Sequence, residues 1–364
     1  MPIKTRLTHV LALTCAVTCL AEGPLLTLQW DHVTQRLLVK NATYGRMKSL
    51  PDGGIVCSYE KASKSWVMRS SDGGQTWSAG VLAGAVEDGI AANPEMCVLA
   101  RGTLLCFFNE RPRTQGGSRK FSIHMSTSED GGRTWTPREK PIFEGGNTMS
   151  EGCWEPAAIE MPNGDLRLFF AHELPGQQEI ALMTSRDAGA TWSPPTQVSL
   201  RPKRRDGMPV PCLLKDGRLV FSVEDNGIAG QDRPHPPFRP SIINYEHQAR
   251  WMALQSPPPD RSNVAAPYLT RLLTGETLLS VQTNVEEARW HRMAVFVGDE
   301  HAKGFTNRTL PFGLPPESNS HWNSLFVKDQ HTVFALTNAT IQGQRGLWCV
   351  EGRVERSAPE QTKE

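Results

Sequence analysis

Ser70-Ser-Asp-Gly-Gly-Gln-Thr-Trp77 recurs as Ser128-Glu-Asp-Gly-Gly-Arg-Thr-Trp135 and again as Ser185-Arg-Asp-Ala-Gly-Ala-Thr-Trp192, three copies of Ser-x-Asp-x-Gly-x-Thr-Trp. The aspartates stand 58 residues apart (72 to 130) and then 57 (130 to 187), the period of a four-stranded blade rather than of a helical repeat. In such a box the Asp and the Ser or Thr bond turn backbone groups, Gly supplies a conformation other residues resist, and Trp fills the space beneath. The box is therefore read as structural and kept apart from the chemistry.

A second repeat counts the blades. Turn signals followed by apolar runs occur at Asp52-Gly53, Arg101-Gly102, Asn163-Gly164, Asp216-Gly217, Thr274-Gly275 and Asp329-Gln330, and eight residues before the glycine a proline recurs at 94, 156, 209 and 267. Each turn is read as joining the first, axial strand of a blade to its second. The fold class is then all-β, a six-bladed β-propeller of four-stranded antiparallel blades over residues 22–356. Degenerate boxes are expected near 244–251, 299–305 and 343–348, and residues 27–39 are expected to supply the outer strand of the sixth blade, leaving no open sheet edge.

In an antiparallel hairpin the start of the first strand lies beside the end of the second. The starts, Tyr44, Asn93, Glu155, Met208, Ala266 and His321, should therefore crowd one mouth of the channel. With them come the ends Glu60, Asn109-Glu110, His172-Glu173, Glu224-Asp225, Gln282 and Asn338. Glu155, set between Trp154 and an apolar strand, and Glu224, closing Arg-Leu-Val-Phe-Ser-Val, are carboxylates at the edge of apolar runs, where burial raises the pKa. Glycoside hydrolysis needs such a pair, one protonated and one charged. A two-residue turn at 163–164 would place His172 opposite Glu155, where it would set that carboxyl's protonation; a surface histidine is the plainer reading.

Composition narrows the partners. The 364 residues carry 39 Lys and Arg against 38 Asp and Glu, a formal charge of +1, with no basic excess to hold a phosphate backbone, so nucleic acid is excluded as a partner class. Residues 1–21, MPIKTRLTHVLALTCAVTCLA, read as a signal peptide with Cys19-Leu20-Ala21 as the cleavage site, and the apolar run is too short for a membrane span. Six further cysteines, at 57, 97, 106, 153, 212 and 349, lack zinc-type spacing. A two-residue turn at 101–102 would let Cys97 face Cys106, with a cross-strand disulfide or buried free thiols as the alternatives. Asn41, Asn307 and Asn338 head glycosylation sequons. Neither a cofactor nor a calcium loop is indicated.

The three boxes, Tyr-Gly-Arg-Met-Lys-Ser-Leu-Pro-Asp-Gly (44–53) and Glu-Pro-Ala-Ala-Ile-Glu-Met-Pro-Asn-Gly (155–164) resemble the sialidase superfamily over roughly residues 40–225. The resemblance implies a six-bladed propeller with its Asp boxes on the face away from the active site. Sialidases hold a sugar carboxylate with three arginines; Arg46 matches the first and Glu155 the glutamate, but His172-Glu173 stand where the second arginine is expected. The exo-arabinanase branch is the closer match. It implies a retaining mechanism with Glu155 as acid/base and Glu224 as nucleophile, although its sixth-blade tyrosine is replaced by Ser-His321-Trp322-Asn.

The sequence thus predicts a secreted or periplasmic, monomeric glycoside hydrolase acting on an arabinan-like or other neutral oligo- or polysaccharide. His172 and Glu173 are expected to support the catalytic pair, and Tyr44, Arg46, Asn93, Trp154, Asp206, His321 and Trp322 to contact sugar. An exo-α-sialidase and a non-catalytic carbohydrate-binding propeller are the alternatives.

Overall fold

A computed structural model of the chain describes residues 25–230, 236–286, 289–315 and 318–357. The expected leader, 1–21, and the tail from 358 onward lie outside the described residues. The first and second strands of the six sheets are Ala42–Ser49 and Ile55–Lys61, Gly89–Val98 and Leu104–Pro112, Cys153–Glu160 and Leu166–Leu174, Asp206–Leu213 and Leu219–Asp225, Val264–Arg271 and Thr277–Thr283, and Ser320–Val327 and Thr332–Ile341. Each first strand touches the first strand of the next sheet, and the sixth touches the first, so the ring is closed. This is a six-bladed all-β propeller. The middles of the second strands are largely apolar because they lie between neighbouring blades: Phe107, Phe169 and Phe221 are fully buried, and the last two rings meet across a blade boundary at 5.0 Å. The outer strand of the sixth blade is Leu25–Lys40, paired with Gln344–Ser357 from Leu25 opposite Ser357 to Lys40 opposite Gly346. No helix among the described residues is long and apolar enough to cross a membrane.

The three Asp boxes lie on turns from third to outer strands, on the face opposite the starts of the axial strands. Ser70 Oγ donates to Asp72 (2.7 Å) and accepts from Gly74 N (2.9 Å), Asp72 accepts from the amides of Gln75 and Thr76, and the Trp77 indole N–H donates to Gly74 O (3.1 Å). These donors, the Thr hydroxyl first, hold the carboxyls of Asp72, Asp130 and Asp187 below the usual range. Residues 244–251 and 299–305 occupy the same turns in blades 4 and 5. The third degenerate box does not: 343–348 runs from the second-to-third turn of blade 6 into its third strand, and the outer strand of that blade comes from the other end of the chain.

The axial turns differ from the two-residue form expected. Each is a three-residue loop: Leu50 N donates to Gly54 O and Gly53 N back to Leu50 O, and the pattern repeats at Leu99, Met161, Leu214 and Leu272. The last loop residue is glycine because its φ is positive, +82° at Gly53 and +95° at Gly102. The extra residue shifts the register by one. Cys97 consequently pairs with Leu105 and Cys106 with Met96, so the two thiols do not face each other, and all six cysteines of the described residues are free and buried.

Candidate active site

Every axial strand carries a bulge at its start, two residues opposing one. The first bulge residue has positive φ in all six blades, at Tyr44, Asn93, Glu155, Met208, Ala266 and Trp322 (49° to 56°). Five of these were read from the sequence. In the sixth blade the residue is Trp322 rather than His321, because the loop is Asp329-Gln330-His331 and the glycine position falls on His331. Proline suits the second bulge position, where no ladder N–H is required.

A bulge leaves its backbone N–H without a ladder partner, and a buried amide must be paired. The end of the second strand in the preceding blade supplies the acceptor: Glu60 for Asn93 N, Asn109 for Glu155 N, Glu224 for Ala266 N (3.0 Å) and Gln282 for Trp322 N. In blade 3 the same position, opposite Trp154, is Ala171, which has no acceptor. There Glu155 itself reaches across and accepts from Met208 N at 3.0 Å.

This brings the two glutamates together. Glu155 Oε2 binds the amide of Met208, and Glu224 Oε1 lies 3.0 Å from where a side chain on the preceding residue, Gly207, would begin. With ordinary backbone dimensions these contacts limit the carboxyl oxygens to within about 10 Å of each other. Gly207 is required sterically, since a Cβ there would also lie 2.8 Å from Gln178 Oε1. Each carboxyl spends one oxygen on a backbone amide and makes no other hydrogen bond among the described residues. Burial first, and the negative charge of Glu224 second, push Glu155 from 4.5 up to about 8, against the pull of Arg111, the Met208 amide and Arg46. Burial also raises Glu224, opposed by the Ala266 amide and by Arg205. Burial thus favours the protonated form at both carboxyls, and the charge of Glu224 adds to that preference at Glu155.

The supporting residues are placed differently from expectation. Loop and bulge together move His172 opposite Cys153, where it bonds Glu179 at 3.0 Å and does not meet Glu155. Glu173 is buried, held by the Trp154 indole (3.1 Å), Gln178 (2.8 Å) and both terminal nitrogens of Arg205 (2.6 and 2.9 Å), so it anchors the wall of the mouth. Trp154, 8% exposed and edge-on to Phe121, packs inside that wall and offers no open face to a sugar. Asp206 is 1% exposed and engaged by Arg201, Arg250 and Ser199, a network shared with buried Asp225. It is not available to substrate.

Arg46 is likewise 1% exposed, paired with Glu95 (3.4 Å), donating to Trp322 O (3.1 Å) and stacked 3.8 Å over the Tyr44 ring. It braces the channel beneath the mouth. Asn93 is buried and accepts from Arg111. Tyr44, Met208 and Ala266 form a buried floor with the half-exposed Trp322 against it. Trp322 and His321 remain open to the mouth. Arg111 was missed by the sequence reading. It lies two residues beyond Asn109, over the Trp154 ring at 5.1 Å, and its charge acts on both Glu155 and Glu60. Among the described residues no group of three or more His, Cys, Asp or Glu side chains is arranged to hold a metal.

The chain is a six-bladed Asp-box propeller with two glutamates brought together at its mouth. Residues 102–271 match the model of the BNR repeat-like domain. Among solved structures, the GH93 α-L-arabinofuranosidase of Fusarium graminearum with arabinobiose is similar at a TM-score of 0.65 and 18% identity, covering 87% of this chain and 93% of that one. The Penicillium chrysogenum α-L-arabinanase complexed with arabinobiose is similar at 0.65 and 17%, covering 92% and 98%. A Hadza microbial sialidase is similar at 0.60 and 14%, covering 85% of this chain and 65% of that one. No curated protein sequence matches significantly.

Proposed function

We propose that the chain is a retaining glycoside hydrolase that cleaves a neutral sugar, of arabinan type, from a glycan end. Glu155 is the acid/base and Glu224 the nucleophile. The observation that carries this reading is the position of the two glutamates on either side of the Gly207–Met208 peptide, one raised to about 8 and each with an unbonded oxygen. In the first step Glu155 donates its proton to the leaving oxygen while the Glu224 carboxylate attacks the anomeric carbon, breaking the glycosidic bond and forming a glycosyl ester. In the second, Glu155, now ionised, takes a proton from water, which attacks the same carbon and releases Glu224.

The likeness to structures bound to arabinobiose supports the arabinan-type substrate. The burial of Arg46, 1% exposed against the Tyr44 ring and paired with Glu95, supports a neutral sugar at the cleavage point, because it keeps that arginine from a substrate carboxylate. The leader-like segment 1–21 supports export. Hydrolysis of aryl α-L-arabinofuranosides and aryl α-sialosides tests the substrate. Turnover of the arabinoside, reduced at least 100-fold in Glu155→Gln, is expected; turnover of the sialoside alone, or an undiminished variant, would overturn the proposal.

A further inference from the structure

The mouth does not end at the carboxyl pair. A second hollow opens at the start of blade 6, beside the floor residue Trp322 in the chain, a cavity of about 370 Å³ lined by Ser318, Asn319, His321, Asn338, Thr340 and Arg345, with one alanine. All of these lie on the mouth face: His321 begins the first strand, Asn338 and Thr340 end the second, and Arg345 begins the third. The lining is almost wholly hydrogen-bonding, hydroxyls and amides that suit sugar hydroxyls, and it contains no carboxylate.

Two features give it a sign. The Arg345 side chain is exposed and has no hydrogen-bond or ion-pair partner among the described residues, whereas the arginines around the carboxyl pair, Arg46, Arg111 and Arg205, are each engaged. Burial first, and the neighbouring His291 ring 5.6 Å away second, lower the His321 pKa and so favour an imidazole that hydrogen-bonds over a second charge. An unengaged guanidinium in a polar hollow is matched to a planar carboxylate, which it binds through two parallel hydrogen bonds.

We propose that this hollow is a sugar subsite for a hexuronate residue, its carboxylate on Arg345 and its hydroxyls on His321, Asn338 and Thr340. The substrate would then be a glycan in which a neutral terminal sugar lies beside an acidic one. Trp322, next to His321 in the chain, partly exposed and packed on Tyr44 of the floor, offers an apolar surface for a neighbouring sugar ring. This deepens the hydrolase reading and rests on it, but the binding itself does not depend on turnover.

Calorimetric titration of Glu155→Gln with digalacturonic acid and with neutral galactobiose tests the proposal. The acidic disaccharide is expected to bind at least 10-fold tighter, to weaken as salt is raised, and to lose its advantage in Glu155→Gln/Arg345→Gln. His321→Ala in the same background is expected to weaken both ligands. Equal affinity for the two sugars, or an acidic preference that survives loss of Arg345, would overturn it. Loss of the hydrolase reading shows instead as undiminished turnover in the Glu155 and Glu224 variants, which leaves the titration unaffected.

Discussion

Replacing Glu155 by Gln should stabilise the protein, and increasingly so as pH rises. The folded chain holds this carboxyl at about 8 against an ordinary 4.5, so ionising it in the mouth costs more than ionising it in the unfolded chain. The sign follows by linkage. A raised folded-state pKa contributes stability that is fully present below 4.5 and is lost as pH climbs through about 8. At about 1.4 kcal/mol per pH unit the loss at pH 9 is about 5 kcal/mol, falling to about 2 kcal/mol if water in the half-exposed mouth screens the charges. Glutamine is neutral at every pH and keeps an oxygen for the Met208 amide, so the variant escapes this loss without opening a cavity. At about 2 °C per kcal/mol for a domain of this size, the melting temperature of the variant should match the parent near pH 4 and exceed it by about 4–10 °C at pH 9. Scanning calorimetry of both proteins from pH 4 to 9 measures the difference directly. A difference that stays flat with pH, or turns against the variant at high pH, would refute the assigned protonation of Glu155.

Three further outcomes follow from the same geometry. Glu224→Gln should lower the Glu155 pKa from about 8 while leaving it above 4.5, because burial outweighs the Glu224 charge; isotope-edited infrared titration of the carboxyl reads the value. Gly207→Ala should cut kcat/KM by roughly 100-fold by displacing Glu224 or Gln178, at a stability cost of only about 1–3 kcal/mol in urea unfolding. Arg250→Ala leaves Asp206 and Asp225 buried with only Arg201 between them and should cost about 3–5 kcal/mol in the same unfolding experiment.

The blade count was legible because five of the six axial loops need glycine at a positive φ, a demand that leaves a mark in any sequence. The Asp boxes were legible for the same reason, since a carboxylate collecting several turn donors cannot be replaced by most residues. The bulges left no such mark. Their first residues are Tyr, Asn, Glu, Met, Ala and Trp, and the surrounding ring, rather than residue type, imposes the left-handed backbone. Counting across a hairpin without loop and bulge therefore misplaced His172 and the Cys97–Cys106 pair. The recurring proline was the available signal, marking the second bulge residue in four blades. Charge pairing was hidden for another reason. Arg201 and Arg250, which take up Asp206, and Arg205, which takes up Glu173, meet their partners through folding across neighbouring strands and loops, so a carboxylate at the mouth looked free when it was already engaged. Glu155 stands out because the ring position that should cap Met208 is Ala171, and that departure from the pattern brings its carboxyl to the Glu224 side of the mouth.

Trapping the glycosyl ester tests the division of roles most directly. Incubation with 2-deoxy-2-fluoro-α-L-arabinofuranosyl fluoride, followed by proteolysis and mass spectrometry, should find the added sugar on the peptide containing Glu224, and Glu224→Gln should abolish the adduct. Labelling of Glu155 or Tyr44 instead, or turnover of an aryl arabinofuranoside with inversion at the anomeric carbon, would contradict the assignment of Glu224 as nucleophile.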